Sequence, residues 1–204
     1  MLKRTFDLLF SIFALLLSCP LFVIIAIYIK INSTGPIFYR GIRIGRFGNS
    51  FRIFKFRTMV INAEELGGPS TLHNDPRFIR GGKFLRKYKL DELPQLFNIL
   101  LGQMSIVGPR PQVENYTRLY SQDEQIMLSV KPGLTDYASL KFINLDEILG
   151  NYDVDNKYLR EIEPEKNRLR IEYAKHNSFW IDLVIILKTL KQLLKILNPW
   201  NTKD

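Results

Sequence analysis

The sequence predicts an α+β protein, mostly helical, that is attached to a membrane from one side. Three observations lead to this: a proline-interrupted apolar run near the N-terminus, a pair of aromatic, β-branched segments around glycines, and an amphipathic C-terminal run. We expect a re-entrant helix–break–helix hairpin over residues 1–31. Residues 32–204 then form one continuous domain packed on the membrane surface, with a small β-hairpin and a C-terminal amphipathic helix.

The apolar run Leu8–Ile29 carries no charged residue. As a helix rising about 1.5 Å per residue it would roughly cross a ~30 Å hydrocarbon core. Pro20, with Ser18 close by, should break or bend the helix, because proline lacks an N–H and clashes with the preceding turn. Basic residues flank both ends and favour keeping both in the cytoplasm: Lys3, Arg4, Lys30, Arg40, Arg43 and Arg46. The pattern therefore favours a hairpin that enters one leaflet and returns.

Two other interpretations of this run are open. A tilted single-pass helix is the stronger one, because membrane helices tolerate proline. A signal peptide would have a shorter apolar region and a small-residue cleavage site, and no A-x-A-like site follows Pro20.

Composition indicates an anionic partner and a reducing compartment. The 204 residues include 29 Lys and Arg against 20 Asp and Glu, a net charge of +9. Such a surplus suits an anionic leaflet, a phosphate-bearing substrate or nucleic acid, although solubility alone explains many surface charges. Cys19 is the sole cysteine, so no internal disulfide can form. His73 and His176 stand apart from other ligands, which argues against zinc or iron.

The middle of the chain alternates short elements with glycine and proline. A turn over residues 32–36 leads to two strand-like segments, 37–39 and 51–57, which predict a β-hairpin around Gly45 and Gly48. The helices predicted next are 63–66 (ended by Gly67 and Gly68), 82–89, 91–101 and 114–129.

The C-terminal third is predicted to be a loop or broken helix at 144–156, followed by helices at 164–175 and 179–197. Lysines recur every three to four residues along the last helix, at Lys188, Lys191 and Lys195. One face therefore stays polar, which favours a helix that lies in the interface or packs on the hairpin.

The main candidate for chemistry is Asp91-Glu92, which follows the basic segment Lys83–Lys89. Neighbouring residues of a helix point about 100° apart, so one carboxylate can be a nucleophile while the other binds a metal or transfers a proton. Nearby Arg and Lys keep a carboxylate ionised and bind phosphate oxygens. Spacing alone favours a simpler interpretation, in which Asp91 caps a helix and Glu92 interacts with the dipole at its N-terminus.

Two basic motifs are candidate phosphate sites. In Pro109-Arg110-Pro111 the prolines restrict the backbone, so the guanidinium is presented with little entropy left to lose. In Lys55-Phe56-Arg57, strand alternation should direct both cations to one face. Inert turns and solvated edge strands have the same patterns.

Several motifs together resemble the monotopic phosphoglycosyl transferases, a family of bacterial sugar transferases. The central match is Leu90–Leu100 followed by Gly102–Pro111. Shorter matches occur in the same order along the chain: Lys3-Arg4 with Asp7, Gly35-Pro36, Arg43 with Gly45, 54–59, Asp75-Pro76-Arg77 and 131–135. The length is similar to the small form that has only the catalytic domain.

The resemblance implies an enzyme at the cytoplasmic face of the bacterial inner membrane. It would transfer a sugar-1-phosphate from a UDP-sugar to a polyprenyl phosphate, usually undecaprenyl phosphate, with release of UMP and a requirement for Mg²⁺. This is a first membrane step in the synthesis of polysaccharides and other glycoconjugates. The family also supports the re-entrant hairpin.

Site roles carry over by position. Asp91 would be the nucleophile of a ping-pong reaction through an aspartyl-phosphosugar intermediate. Glu92 would assist through the metal or a proton, with Asp91 and Glu92 as the Mg²⁺ ligands. The phosphates would be neutralised by Lys55, Arg57 and Arg86, while Pro109, Arg110 and Pro111 would contact the uridine or diphosphate.

The resemblance weakens after Thr135. The family often continues Gly-Trp-Ala-Gln-Val-Asn-Gly-Arg, whereas this chain has Asp136–Phe142, so no substrate contact is transferred there and the sugar stays open. The alternative function is a non-enzymatic, basic lipid-binding scaffold. A nucleic-acid binder is disfavoured by the membrane segment, and the sequence leaves open whether the chain forms a homodimer.

Overall fold

A computed structural model of the chain describes residues 1–66, 75–143, 145, 148 and 154–197. The helices are α1 (Leu2–Asn32), α2 (Ala63–Leu66), α3 (Gly82–Lys87), α4 (Gln95–Leu100), α5 (Glu114–Thr117), α6 (Tyr137–Lys141), α7 (Val154–Lys157), α8 (Glu163–His176) and α9 (Phe179–Leu197). A π-helical turn, Tyr158–Ile162, joins α7 to α8, and 3₁₀ turns occupy Arg46–Gly48, Leu90–Glu92 and Glu124–Ser129. The prediction of a mostly helical chain is thereby confirmed.

Three two-stranded sheets occur among the described residues, which confirms the α+β class. The predicted β-hairpin is present as two antiparallel pairs around one turn: β2 (Ile42–Ile44) with β3 (Ser50–Arg52), and β1 (Phe38–Tyr39) with β4 (Lys55–Phe56). The third sheet pairs β5 (Ser105–Val107) in parallel with β6 (Gly133–Thr135). Gly108 and Gly133 allow this pairing, since a Cβ on Gly133 would lie 2.1 Å from the Gly108 nitrogen.

Several predicted helices are shorter than expected. The helix expected at 91–101 is a 3₁₀ turn at Leu90–Glu92 followed by α4, because Pro94 cannot donate a hydrogen bond within a continuous helix. The helix expected at 114–129 is α5 and a separate 3₁₀ turn. The helices expected at 164–175 and 179–197 are confirmed as α8 and α9. The Gly67-Gly68 ending and most of the 144–156 loop lie outside the described residues.

Helix α1 is continuous through Pro20, so the predicted division into two helices at Ser18 and Pro20 is not observed. The Ser18 hydroxyl donates to the Ala14 carbonyl at 2.6 Å, which is local bonding of the kind found beside proline in apolar helices. α1 is long and apolar enough to cross a membrane, and only 11% of its most apolar stretch is buried.

The N-terminal end of α1 is bound to the domain by charged groups. Lys3 donates to the Val107 carbonyl at 3.0 Å and pairs with Asp182 of α9. Arg4 donates to the carbonyls of Ile99 and Leu100, at 2.6 and 3.0 Å. Both carbonyls lie at the C-terminal end of α4, so Arg4 acts as a C-terminal cap for that helix.

One turn further along α1, Asp7 bonds to strand β5. Its buried carboxylate accepts hydrogen bonds from the Ser105 hydroxyl at 2.9 Å and the Ile106 amide at 3.1 Å. These contacts place the start of α1 against the edge of the β5–β6 sheet.

The C-terminal end of α1 is bound by apolar packing instead. Ile25 and Ile29 are buried with Phe56, Ile79 and Leu85. The larger core cluster lies beside α4 and the β5–β6 sheet and includes residues of α8 and α9. Because both ends of α1 pack on the same domain, the helix lies along that domain and does not project from it.

Candidate active site

Asp91 and Glu92 lie on the 3₁₀ turn between α3 and α4, and the residue before this turn is strained. Lys89 has φ 57° and ψ 18°, a left-handed conformation that is unfavourable for a residue with a Cβ. The reversal turns the chain so that both carboxylates point into the protein, where they are buried. Neither caps α4, which has Pro94 at its N-cap and no side-chain cap, so the helix-cap interpretation is not supported.

Glu92 is bound by two cations. Arg110 donates to both of its carboxylate oxygens, at 3.0 Å to Oε2 and through a second, short contact to Oε1. Lys55 donates to Oε1 at 2.9 Å. Burial alone would raise the pKa of Glu92, but Arg110 and Lys55 outweigh it and hold that pKa well below its usual value. Glu92 is therefore a fixed anion that orders the two cations.

Asp91 has a different environment although it is the next residue. Its Oδ1 is buried and has no hydrogen-bond partner within the described part of the chain. Burial raises the pKa of Asp91, while Lys55 and Arg86 oppose the rise. An ionised carboxylate with a free oxygen is poorly solvated and can act as a nucleophile.

Three basic side chains near the carboxylates, Lys55, Arg86 and Arg110, have different environments. Burial lowers the pKa of Lys55, and the Arg110 charge contributes to the lowering although Glu92 opposes it. Glu92 is the principal reason that the pKa of Arg110 is raised. Arg86 donates to the Thr58 hydroxyl at 3.0 Å and lies over the Phe78 ring. The structure thus brings Lys55 and Arg110 into contact with Glu92, and it places Arg86 near enough to Asp91 for its charge to lower the pKa of that residue.

Arg57 is not brought to the carboxylates. Strand β4 ends at Phe56, so the expected alternation does not continue, and the buried Arg57 guanidinium binds the turn that follows α1. It donates to the Pro36 carbonyl at 2.6 Å and to the Ser33 hydroxyl at 2.8 Å. These bonds give Arg57 a structural role in attaching the turn after α1 to the β-hairpin.

The Pro109-Arg110-Pro111 loop is oriented by two residues that sequence analysis did not select, Asp136 and Arg170. The Asp136 carboxylate accepts from the Arg110 amide at 3.2 Å and caps α6 through the Ser139 amide at 2.5 Å. Arg170 of α8 lies 3.8 Å from the same carboxylate. With the Gln112 amide oriented so that its oxygen faces Arg170, two Arg170 nitrogens lie 3.0 Å from that oxygen.

Arg170 is almost fully buried, and its charge is balanced by acidic neighbours. Burial alone would lower the pKa of Arg170, but Asp136 and Glu163 raise it. At Asp136 the sequence differs from the residues usual in the resembled family. This difference is the signal that could have located the network, since a buried acid near the arginine loop requires a cationic partner. The partner, Arg170 on α8, lies 34 residues further along the chain and is not part of any recognisable motif.

A crevice opens beside the arginine loop. Arg110 and both prolines of the loop line it. The other lining residues include Gly45, Tyr120, Met127 and Pro132. Mostly apolar walls with one cation suit a planar, partly polar ligand group.

The residues are compatible with a Mg²⁺ that is shared with a phosphate ligand. Mg²⁺ in such sites is held by one or two carboxylates, substrate phosphates and water. The unpartnered Asp91 Oδ1 offers one such ligand, whereas both Glu92 oxygens already accept from cations. Among the described residues no group of three or more His, Cys, Asp or Glu is placed to hold a metal by itself.

Comparison with known proteins defines the class. The profile of the bacterial sugar transferase family matches residues 1–196, so this chain belongs to that family. It is 40% identical to the exopolysaccharide production protein ExoY of Rhizobium meliloti, over 93% of this chain and 84% of that protein.

Two further relatives are longer than this chain. It is 33% identical to the UDP-N-acetylgalactosamine-undecaprenyl-phosphate N-acetylgalactosaminephosphotransferase of Aeromonas hydrophila, over 95% of this chain and 44% of that protein. It is 37% identical to the undecaprenyl-phosphate galactose phosphotransferase of Salmonella typhimurium, over 95% of this chain and 40% of that protein. The chain therefore spans less than half of these two relatives.

Proposed function

We propose that the protein transfers a sugar-1-phosphate from a UDP-sugar to undecaprenyl phosphate and releases UMP. The observation that carries the proposal is the pair of buried carboxylates in which Glu92 binds Lys55 and Arg110 while Asp91 keeps an unpartnered oxygen. The names of two relatives contain undecaprenyl phosphate together with N-acetylgalactosamine or galactose. Because these sugars differ, the comparison supports UDP-sugars as a class.

The reaction proceeds by two displacements at phosphorus. An Asp91 oxygen attacks the β-phosphorus of the UDP-sugar, and the bond from this phosphorus to the bridging oxygen breaks. UMP leaves with that electron pair, and the sugar phosphate stays on Asp91 as an acyl phosphate. A phosphate oxygen of the polyprenyl phosphate then attacks the same phosphorus, which frees the Asp91 carboxylate and forms the diphosphate-linked sugar.

The cations bind and stabilise the transferring phosphates. The side chains of Lys55 and Arg110 are more exposed than the Glu92 carboxylate that they bind, so they can bind phosphate oxygens without losing the anion that orders them. Arg86 opposes the burial-driven rise in the pKa of Asp91 and so favours the ionised nucleophile. Pro109 and Pro111, which line the crevice, would contact the uridine, with Arg110 directed at the diphosphate.

Mg²⁺ is the proposed cofactor. Asp91 would contribute a ligand, and Glu92 could do so only if Lys55 or Arg110 moved from it to the donor phosphates. When bound, the ion would neutralise phosphate charge.

The protein is proposed to lie on the cytoplasmic face of the bacterial inner membrane, with α1 dipping into one leaflet. Two observations support this topology. Both ends of α1 pack on the same domain, through Arg4 at one end and Ile29 at the other. The face of α1 that points away from the domain is a row of exposed apolar side chains, including Phe13, Leu17 and Ile24. Residues 1–31 are thus proposed as the membrane segment and 32–204 as the catalytic domain.

The test is a UMP-release assay on Asp91→Asn. Full-length protein in detergent or nanodiscs is incubated with a panel of UDP-sugars, undecaprenyl phosphate and Mg²⁺. We expect release with at least one donor and a loss of at least about a thousandfold in Asp91→Asn, as for removal of a nucleophile. Chelation of Mg²⁺ should also stop turnover.

Asp123→Asn, an exposed carboxylate with the same chemical change, is the matched control and should keep wild-type activity. Equal UMP release by Asp91→Asn and wild type would refute the nucleophile assignment. Folded wild-type protein that releases no UMP from any donor would favour the lipid-binding scaffold.

A further inference from the structure

The exposed half of α9 carries two adjacent rows of side chains, one apolar and one basic, which we call the apolar lane and the lysine lane. At about 100° per residue, Trp180, Leu187 and Leu194 fall on one lane, and all three are exposed. Lys188, Lys191 and Lys195 fall beside them within an arc of about 60° and are exposed too. The opposite face of the helix packs on the domain core. An apolar lane bordered by cations is the arrangement of a helix lying at the level of lipid headgroups.

The lysine lane borders a groove between α6 and α9. The groove is lined by Leu140 together with Lys188, Lys191, Gln192 and Lys195. No ion pair involves these three lysines within the part of the chain that the structure describes. The groove thus presents three cations whose charge is not balanced by the described side chains.

Gln192 adds a second requirement on the ligand. Its Nε2 donates to the Leu140 carbonyl at 3.1 Å, which fixes the side chain at the groove. Its Oε1 is buried and has no partner among the described residues. A buried carbonyl oxygen without a hydrogen bond is unfavourable, so a ligand that supplies a donor would be favoured here.

We propose that the α6–α9 groove binds the headgroup of an anionic phospholipid, with the phosphate on the three lysines and a headgroup hydroxyl donating to Gln192 Oε1. Phosphatidylglycerol has both features, a phosphodiester and hydroxyl donors. Phosphatidylcholine has neither a net negative charge nor a hydroxyl.

The position of the groove gives such a lipid a role in orientation. Asp136 caps the start of α6, a five-residue helix whose last turn supplies Leu140 to the groove. The same Asp136 holds the Arg110 amide. A headgroup bound at α9 therefore helps to set the height of the active site above the bilayer. This role rests on the membrane attachment proposed above.

Lipid binding is measured without turnover, by native mass spectrometry of the full-length protein in detergent during titration with phosphatidylglycerol, phosphatidic acid or phosphatidylcholine. Wild type should bind phosphatidylglycerol most tightly. The triple substitution Lys188→Gln, Lys191→Gln, Lys195→Gln should weaken this binding at least about tenfold and leave phosphatidylcholine unchanged. Gln192→Leu should reduce mainly the preference for phosphatidylglycerol over phosphatidic acid.

The matched control is Lys83→Gln, Lys87→Gln, Lys175→Gln, which removes the same charge from exposed positions elsewhere. An equal loss in this control would refute a specific groove and leave only net charge. Displacement of phosphatidylglycerol by equimolar undecaprenyl phosphate would instead assign the groove to the acceptor. UMP release by the α9 triple variant in detergent should stay at the wild-type level, so failure of the lipid site is distinguishable from failure of the proposed function.

Discussion

At the scale of single residues, two adjacent carboxylates have opposite properties because their partners differ. Glu92 accepts from Arg110 and Lys55, which hold its pKa well below the usual value despite burial. Asp91 is buried with an unpartnered oxygen, and its pKa is raised. Environment thus separates a permanent anion from a titratable nucleophile.

This difference predicts the pH dependence of activity. Asp91 reacts only when ionised, so kcat/KM for the UDP-sugar should fall as pH decreases through its raised pKa, above the range of an ordinary aspartate. Lys55→Met removes a positive charge that lowers this pKa, so the acid limb should move to higher pH. Glu92→Gln removes a negative charge that raises it, so the limb should move to lower pH. The measurement is UMP release against pH.

Asp123→Asn is the control and should keep the wild-type profile. Identical acid limbs in wild type, Lys55→Met and Glu92→Gln would show that Asp91 does not control the limb.

At the scale of elements, the arginine loop depends on helix α8 through a buried charge network. Asp136 binds the Arg110 amide and lies beside Arg170, which also reaches Gln112. The loop is therefore held at the Arg110 amide and at Gln112 by residues that are far away in sequence. A rigid loop presents its guanidinium at low entropic cost.

Asp136→Asn should damage both stability and donor binding. It removes the carboxylate beside a buried arginine, and we expect the free energy of unfolding to fall by about 2 kcal/mol, as for a lost charge-assisted hydrogen bond. KM for the UDP-sugar should rise more than kcat falls, because Arg110 is displaced while Asp91 is intact. Thermal unfolding and initial rates of UMP release provide the two readouts.

Glu165→Gln is the comparison variant, since Glu165 pairs with Lys141 and Arg168 at the protein surface. Its melting temperature and KM should stay near wild type, because exposed pairs contribute little. If Asp136→Asn lowered kcat and left KM unchanged, the positioning of Arg110 by Asp136 would be wrong.

At the scale of the whole molecule, α1 and α9 each present a row of exposed apolar side chains on the protein surface. Lys3 connects the two helices through its pair with Asp182. α1 is bound at both ends, so its two termini should lie on the same side of the membrane.

Cysteine labelling tests this topology. In a Cys19→Ser background, Thr5→Cys and Thr34→Cys place single thiols just before and just after the apolar stretch of α1. Both should be protected from a membrane-impermeant maleimide in intact spheroplasts and labelled in inverted membrane vesicles. Ser121→Cys, on the exposed part of the domain, should behave identically. Labelling of only one α1 end in spheroplasts would establish a single-pass helix.

The sequence by itself determined the fold class and the family, and it selected most of the residues that we propose for the site. The apolar run, the glycine-centred hairpin and the Asp91-Glu92 motif are local patterns, and local patterns express short-range propensity and chemistry directly. Lys55, Arg86 and Arg110 were selected in this way, since Lys55 and Arg86 lie near other basic residues and Arg110 lies between two prolines.

Tertiary structure alone decided how these groups are used. Arg57 was misplaced because the direction of a side chain depends on where strand β4 ends, which is set by packing against the turn after α1. Continuity of α1 past Pro20 likewise depends on both halves packing against one domain. Asp136 and Arg170 become partners only when α8 folds onto the arginine loop, and a buried ion pair leaves no local pattern in the sequence.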